Sequence, residues 1–401
     1  MDSTTGVPSA PETDFDHHDT SLSRDEVLDV YTSLREQCPV THSSAHGGYF
    51  NVTRYEGVRA VTTSPDRFSS ADGVLIPSTP LPPIPPLEFD GTEHEAWQKI
   101  MQAPLVPAEV RKHQPLLDDV VRTEIDGFAR EGKADLWSDF ADAIPALVIG
   151  RLIGLSPSSA PRMRALAMGV LNSLGSGNEE QASEEFFDFT SAELASRRED
   201  PRDDYLTQLA TGSFGGRTLS DAEVGGILVA FFIGGHHSTA ASIVGLLHHI
   251  LTVEGLREAV TTDPSTLPKA IEESLRLTTP LPHFARKVLQ DTEIEGVPIP
   301  AGGKVLLNYL AANRDPRRFD DPEKFDLDRR RNQHLAFGYG THMCIGRHLA
   351  RAELATAATQ LLHRLPDIEI DGDVRFTGLI GGNIMQIASL PVRFTPEHSD
   401  S

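Results

Sequence analysis

Residues 224–253 run for 30 positions without an Asp, Glu, Lys or Arg. A stretch this long either crosses a membrane or is buried on all sides in a large folded protein. Its middle reads Gly234-Gly235-His236-His237-Ser238-Thr239, and His248 and His249 stand near its end. Polar side chains and paired glycines fit hydrocarbon badly, and no Lys/Arg-rich flank orients a span. A buried core helix is the better fit. Ser220-Asp221-Ala222-Glu223 is a capping box that starts it. A helix over 221–252 is about 48 Å long, enough to cross a domain. Two adjacent interior glycines cost ~1 kcal/mol each relative to alanine, so something other than helix stability must require them.

The rest of the chain reads as mostly α with a minor β part. Helical patterns cover 24–35, 94–102, 109–130, 136–154, 161–174, 180–198, 267–277 and about 345–365. Short strands are expected at 48–53, 284–289, 292–294 and 304–308, with further short strands over 367–394. Six prolines between Pro77 and Pro86 exclude a regular helix and predict a stiff loop. Leu81 and Ile84, interleaved with them, predict that the loop packs on something apolar. The N-terminus is acidic and polar and lacks a signal-peptide pattern, so residues 1–20 are expected to form a disordered acidic tail. Residues 21–396 are then one domain, and 397–401 a flexible end. With 36 basic against 58 acidic residues the net charge is −22. That disfavours nucleic acid and a polybasic membrane surface as partners. Cys38 and Cys344 are too few for a disulfide scaffold or a four-cysteine zinc site, so an intracellular, cytoplasmic protein is expected.

That leaves the question of what Cys344 does. It sits in Phe337-Gly338-Tyr339-Gly340-Thr341-His342-Met343-Cys344-Ile345-Gly346. Glycines at 338, 340 and 346 allow positive φ and close approach of backbone to a flat ligand. A helix beginning just after the cysteine stabilises a thiolate. A thiolate in such a loop, backed by Phe337, has the character of an axial ligand to haem iron. The segment resembles the haem-binding signature of the cytochromes P450, in their soluble bacterial branch, and the resemblance extends over about residues 25–394.

The resemblance implies the triangular-prism P450 fold, with haem b between a long distal helix and the helix after Cys344. It implies a monooxygenase that inserts one atom of O2 into a small molecule. Cys344 is then the iron ligand, with Phe337, Gly338, Gly346 and Gly235 at the cofactor. Arg286, His342 and His94 match its propionate contacts. The family often has arginine four residues after that last histidine, where this chain has Gln98, with Trp97 and Lys99 beside it. Glu273 and Arg276 look like the family's structural E-x-x-R pair, braced against the region of Asn313-Arg314-Asp315-Pro316. The run around Gly234 looks like the point where the distal helix opens to admit dioxygen. His237 stands where an acid is usual, and Ser238 where threonine is usual. Ser238, His237 or Thr239 would then handle oxygen and protons. Paired histidines here also resemble the sterol 14α-demethylase branch, which cleaves C–C bonds; ring formation and a haem module without turnover are further alternatives. By the same resemblance the substrate roof combines Leu75 and Ile84, Ala230 and Ile233, Phe284, and Asn383 with Ile384. These are mainly apolar, so an apolar terpenoid, steroid or polyketide-like substrate is expected. Electrons would come from NAD(P)H through a ferredoxin and its reductase, docking on a monomer near Lys99, Arg111, Lys112, Arg347 and Arg351.

Overall fold

The structure, a computed structural model, describes residues 10–79, 82–173 and 178–397. Leu81 lies outside the described residues. The chain is mostly helical with small sheets, as expected from the sequence.

The long apolar run forms two helices, Asp221–Gly235 and His237–Thr252, which meet at His236. The capping box is present: Ser220 Oγ accepts from the Glu223 N–H at 3.3 Å, and Glu223 Oε2 accepts from the Ser220 N–H at 2.8 Å. The uninterrupted helix expected over 221–252 is therefore corrected to a broken one. His236, at φ −83° and ψ −75°, carries the break directly after the two glycines. Among the described residues this is the one helical segment long and apolar enough to cross a membrane, and 67% of its most apolar window is buried inside the protein. Its first half packs on Ile144–Ile153, Ser159–Ser173 and Glu179–Glu199; its second half packs on Thr266–Thr278 and Arg347–Arg364. An all-round apolar sequence is thus matched by neighbours on every side but one.

Prolines set two other departures. The helix expected over 109–130 divides into Pro107–Lys112 and Gln114–Asp126. Pro115 has no N–H, and its ring crowds the preceding turn. The helix expected over 136–154 begins instead as a π-turn, Trp137–Ala141, and resumes at Ile144–Ile153 with Pro145 in its first turn.

The principal sheet has the strand order Glu12–Thr13, Val40–Ser43, Tyr49–Val52, Lys304–Asn308, His283–Val288, Phe68–Ser69. Phe50 pairs with Val305 in parallel, and Ala285 pairs with Leu306 antiparallel. The first strand corrects the disordered tail expected through residue 20. Glu12–Thr13 pairs in parallel with His42 and Ser43, and Phe15 and His17 are buried. Phe15 meets Tyr31 edge-on with ring centroids 5.4 Å apart, so one aromatic anchors an otherwise polar segment. At the other end Glu397, expected to be flexible, accepts from Arg364 Nε at 2.8 Å. Residues 398–401 lie outside the described residues.

Candidate active site

Cys344 lies between a glycine-rich turn and the helix Arg347–Arg364, whose N-cap is Gly346. The helix starts two residues later than the expected 345. The turn is tied by Cys344 N–H to the Phe337 carbonyl at 2.9 Å. Gly340 needs its glycine twice over: its φ is +74°, and a Cβ would sit 2.2 Å from the Thr62 carbonyl oxygen. The Cys344 residue is exposed. Its thiol is nonetheless surrounded closely enough that burial raises its pKa, against the pull of the Gly346 and Arg347 N–H groups. An exposed residue whose sulfur is closely surrounded sits in a recess, here called the slot, and not on the open surface. A neutral thiol aimed into a slot, with helix N–H groups ready to stabilise negative charge, is a ligand that a bound metal would ionise.

One end of the slot carries one buried cation and two neutral imidazoles. Arg286, on the strand His283–Val288, is buried. Its one hydrogen bond among the described residues goes to the adjacent Ala285 carbonyl at 2.7 Å. Burial pulls its pKa down, with Tyr309 and Asp90 partly opposing. The His94 and His342 rings stack at a centroid distance of 4.2 Å. Burial, then Arg286 and His94, hold His342 at about 3. Asp90 anchors this corner: it accepts from the Ser70 N–H at 3.1 Å and lies 3.8 Å from His342 Nε2. Three convergent donors with an undersatisfied guanidinium fit the carboxylates of a haem. Gln98 takes another role and donates to the Thr341 carbonyl at 3.2 Å, tying its helix to the cysteine loop.

The facing wall is the broken helix. Gly226, Ala230, Ile233, Gly234, Gly235, His237 and Ser238 are its residues that are not buried between 224 and 240. A Cβ on Gly234 would meet nothing within 4 Å, whereas one on Gly235 would lie 2.4 Å from Ile149 Cδ1. Gly234 faces open space, and Gly235, itself half-buried, lets the helix close on Ile149. Ser238 Oγ donates to the Gly234 carbonyl at 2.9 Å, so the hydroxyl sits across the helix break. Its lone pairs remain free to accept. Thr239 is buried. His236 is pinned away, with Nε2 2.8 Å from the Asp142 carbonyl oxygen and 3.2 Å from its carboxylate. Burial raises the Asp142 pKa, but His236 and Arg164 hold it at about 2. Burial and the neighbouring His236 lower His237 to about 4. His237 is therefore neutral at neutral pH.

The roof elements meet. Pro85 lies against Gly226, 3.5 Å from where a Cβ would stand. Glu88, buried, accepts from the N–H groups of Val74 and Ile84 at 3.2 and 2.9 Å and folds the proline-rich loop back on itself. Leu75, Ile84, Phe284 and Ile384 are half-buried. Asn383, expected to orient a substrate, has its Oδ1 occupied by the His283 N–H at 3.3 Å.

Behind the slot, Glu273 and Arg276 are fully buried and pair at 2.8 Å. Arg276 also donates to the Asn313 and Pro322 carbonyls. Arg329, which local spacing could not flag, completes the network at 3.0 Å from Glu273. Glu272, beside it in sequence, binds Arg351 at 2.6 and 2.8 Å, and the Arg351 guanidinium lies over Phe337 at 4.5 Å. Of the cations expected to dock a partner, Arg351 is thus committed inward, Arg347 donates to the Cys344 carbonyl at 3.0 Å, and Lys112 pairs with Glu109. Lys99 and Arg111 are exposed.

Comparison with known proteins agrees with this geometry. Residues 176–366 match the family described as cytochrome P450. The steroid C26-monooxygenase of Mycobacterium tuberculosis is 32% identical over 398 residues, covering 97% of this chain and 99% of the relative. The erythromycin C-12 hydroxylase of Saccharopolyspora erythraea is 29% identical, over 86% of this chain and 89% of the relative. The crystal structure of CYP108D1 from Novosphingobium aromaticivorans superposes with a TM-score of 0.86 at 28% identity, covering 92% of this chain and 94% of that one.

Proposed function

This chain belongs to the cytochrome P450 superfamily, and from that premise we propose that it oxidises a steroid- or terpenoid-like substrate, with Cys344 as the axial ligand of its haem. It is a P450 monooxygenase with haem b as cofactor, acting on apolar substrates. When bound, the haem supplies reductive activation of O2, one atom going to substrate and the other to water.

The chain's own residues divide the remaining work. Cys344 provides the sulfur ligand, and the Gly346 and Arg347 N–H groups stabilise its charge. Arg286, His94 and His342 bind the propionates. Gly234 leaves room for a diatomic molecule beside the helix break. The Ser238 hydroxyl holds a proton at Oγ, and His237, neutral, accepts one at its ring. The half-buried Leu75, Ile84, Ala230, Ile233, Phe284 and Ile384 exclude water and orient an apolar substrate. The steroid C26-monooxygenase relative supports the polycyclic or terpenoid class. Electrons arrive from NAD(P)H through a ferredoxin and reductase, docking on the monomer near Lys99 and Arg111. Residues 10–396 act as one domain.

The carrying observation is the Cys344 thiol on the wall of the slot, at a helix N-terminus. The test is the carbon-monoxide difference spectrum of the reduced protein. The parent gives the thiolate band and Cys344→Ala loses it; a band retained in the variant rejects the assignment. Turnover with a surrogate ferredoxin, its reductase and NADPH then tests the substrate class. Spin-state titration by steroids and terpenes without product from any of them counts against it.

A further inference from the structure

Three histidines gather far along the chain from Cys344. His17, His18 and His46 each offer a ring nitrogen, and these nitrogens lie within 4.8 Å of one another. His17 and His18 come from the N-terminal segment, and His46 from the turn before the strand Tyr49–Val52. Asp16 Oδ1, 2.8 Å from His46 Nε2, holds that ring beside the other two. We infer that this cluster is a divalent transition-metal site of three histidines, with Zn2+ as its ion. Three imidazoles with an open fourth position suit tetrahedral zinc. Nitrogens bound to zinc stand about 3.3 Å apart, so only small rotations of the more accessible His18 and His46 are needed to close the site.

The hydrogen bonds around His17 point the same way. Tyr49 has one hydroxyl hydrogen and donates it to the Phe15 carbonyl at 3.0 Å. It then accepts from His17 Nδ1–H at 3.1 Å. That tautomer leaves the bare Nε2 of His17 2.9 Å from the Ile76 carbonyl oxygen, two acceptors facing one another. The other tautomer satisfies Ile76 and leaves the Phe15 carbonyl without the Tyr49 hydrogen. With neutral rings one acceptor always goes unpaired. A cation at Nε2 removes the conflict, and Tyr49 becomes the group that orients the ligand through its far nitrogen. His46 is held at φ +52°, a left-handed conformation that disfavours residues other than glycine.

The site sits where it can affect the roof. His18 Nε2 is 2.7 Å from the same Ile76 carbonyl, and its ring occupies the space where a Cβ of Gly382 would be. Zinc would therefore pin the N-terminal segment to the loop before Pro77 and to the turn at 380–384. Both belong to the proposed substrate roof, but the metal site rests on none of the haem assignments.

The test uses the full-length, haem-loaded protein without a histidine tag, titrated with ZnCl2 by calorimetry. One saturable Zn2+ per chain is expected, with at least ~10-fold weaker binding in His18→Ala/His46→Ala and in Tyr49→Phe. An unaltered carbon-monoxide spectrum checks that each variant is folded, and His46→Gln alone serves if the double variant is not. Zinc should also slow amide exchange over 10–20 and 74–79. Absence of a saturable site, or an isotherm unchanged by the substitutions, overturns the site. Unchanged exchange overturns the pinning.

Discussion

Arg286→Met separates a cofactor anchor from an ordinary buried arginine. The substitution keeps an unbranched apolar stem and removes the guanidinium with its charge. In the protein chain that charge is poorly met: one hydrogen bond to its neighbour's carbonyl, in a site dry enough to lower the guanidinium's pKa. His342 beside it is neutral, being held at about 3. Arg286 is thus the permanent cation of the three groups at this end of the slot. A hydrogen bond to a charged group contributes about 1.5–3 kcal/mol net, equivalent to about a 10- to 150-fold change in affinity. Haem transfer from the holoprotein to an excess of a haem-scavenging globin reads this directly, because affinity changes at one site fall mainly on dissociation. Arg286→Met should lose haem about 10–150 times faster than the parent. Lys287→Met is the control, its partner being Asp72 at 3.2 Å on the outside of the same strand. The reasoning fails if Arg286→Met retains haem as the parent does, or if Lys287→Met loses it equally fast.

Four further outcomes follow from the same contacts. Glu273→Gln strips the counter-charge from buried Arg276 and Arg329, which costs about 3–5 kcal/mol; at about 2.1 cal/mol/K per residue over 401 residues, Tm should fall by about 4–6 °C, and an unchanged calorimetric Tm rejects the network's role. Gly234→Ala should keep or raise Tm, since its Cβ meets open space, while product formation drops; full turnover would mean that the methyl does not point into the slot. Burial lifts the Glu353 carboxyl well above its usual 4.5, and a raised folded pKa means stability present below the unfolded value and lost as pH rises; Glu353→Gln should therefore gain stability over the parent between pH 5 and 8, and denaturant melts with the same difference at both pH values would refute this. His237, held at about 4, stays neutral from pH 5.5 to 8, so coupling of NADPH to product should show no step near 6.5 that disappears in His237→Ala.

Local chemistry was legible wherever neighbours in sequence are neighbours in space. The Cys344 loop, the Ser220–Glu223 cap and the Glu273–Arg276 pair each lie within one turn or one helix, so residue type and spacing are enough. Hydrophobic period identified the helices, and an uncharged run of 30 residues marked the core helix. Prolines at 115 and 145 broke two patterns in ways their missing N–H explains. The error at the N-terminus has a different origin. An acidic composition predicts disorder on average, but Phe15 and His17 find a pocket made by Tyr31 and Tyr49, and no local pattern encodes a pocket.

What the sequence determined by itself is the family and the cofactor, together with the cysteine we propose as its ligand, because those depend on residue types at fixed short spacings. Tertiary structure decided which of two adjacent glycines faces open space, since that depends on Ile149 approaching one and nothing approaching the other. It decided that Asn383 holds backbone, that Arg351 turns inward to Glu272, and that His237 is neutral, because desolvation and partners come from distant segments. It also brought His46 to His17 and His18, 28 positions away at the closest, through a sheet register that only the folded chain supplies.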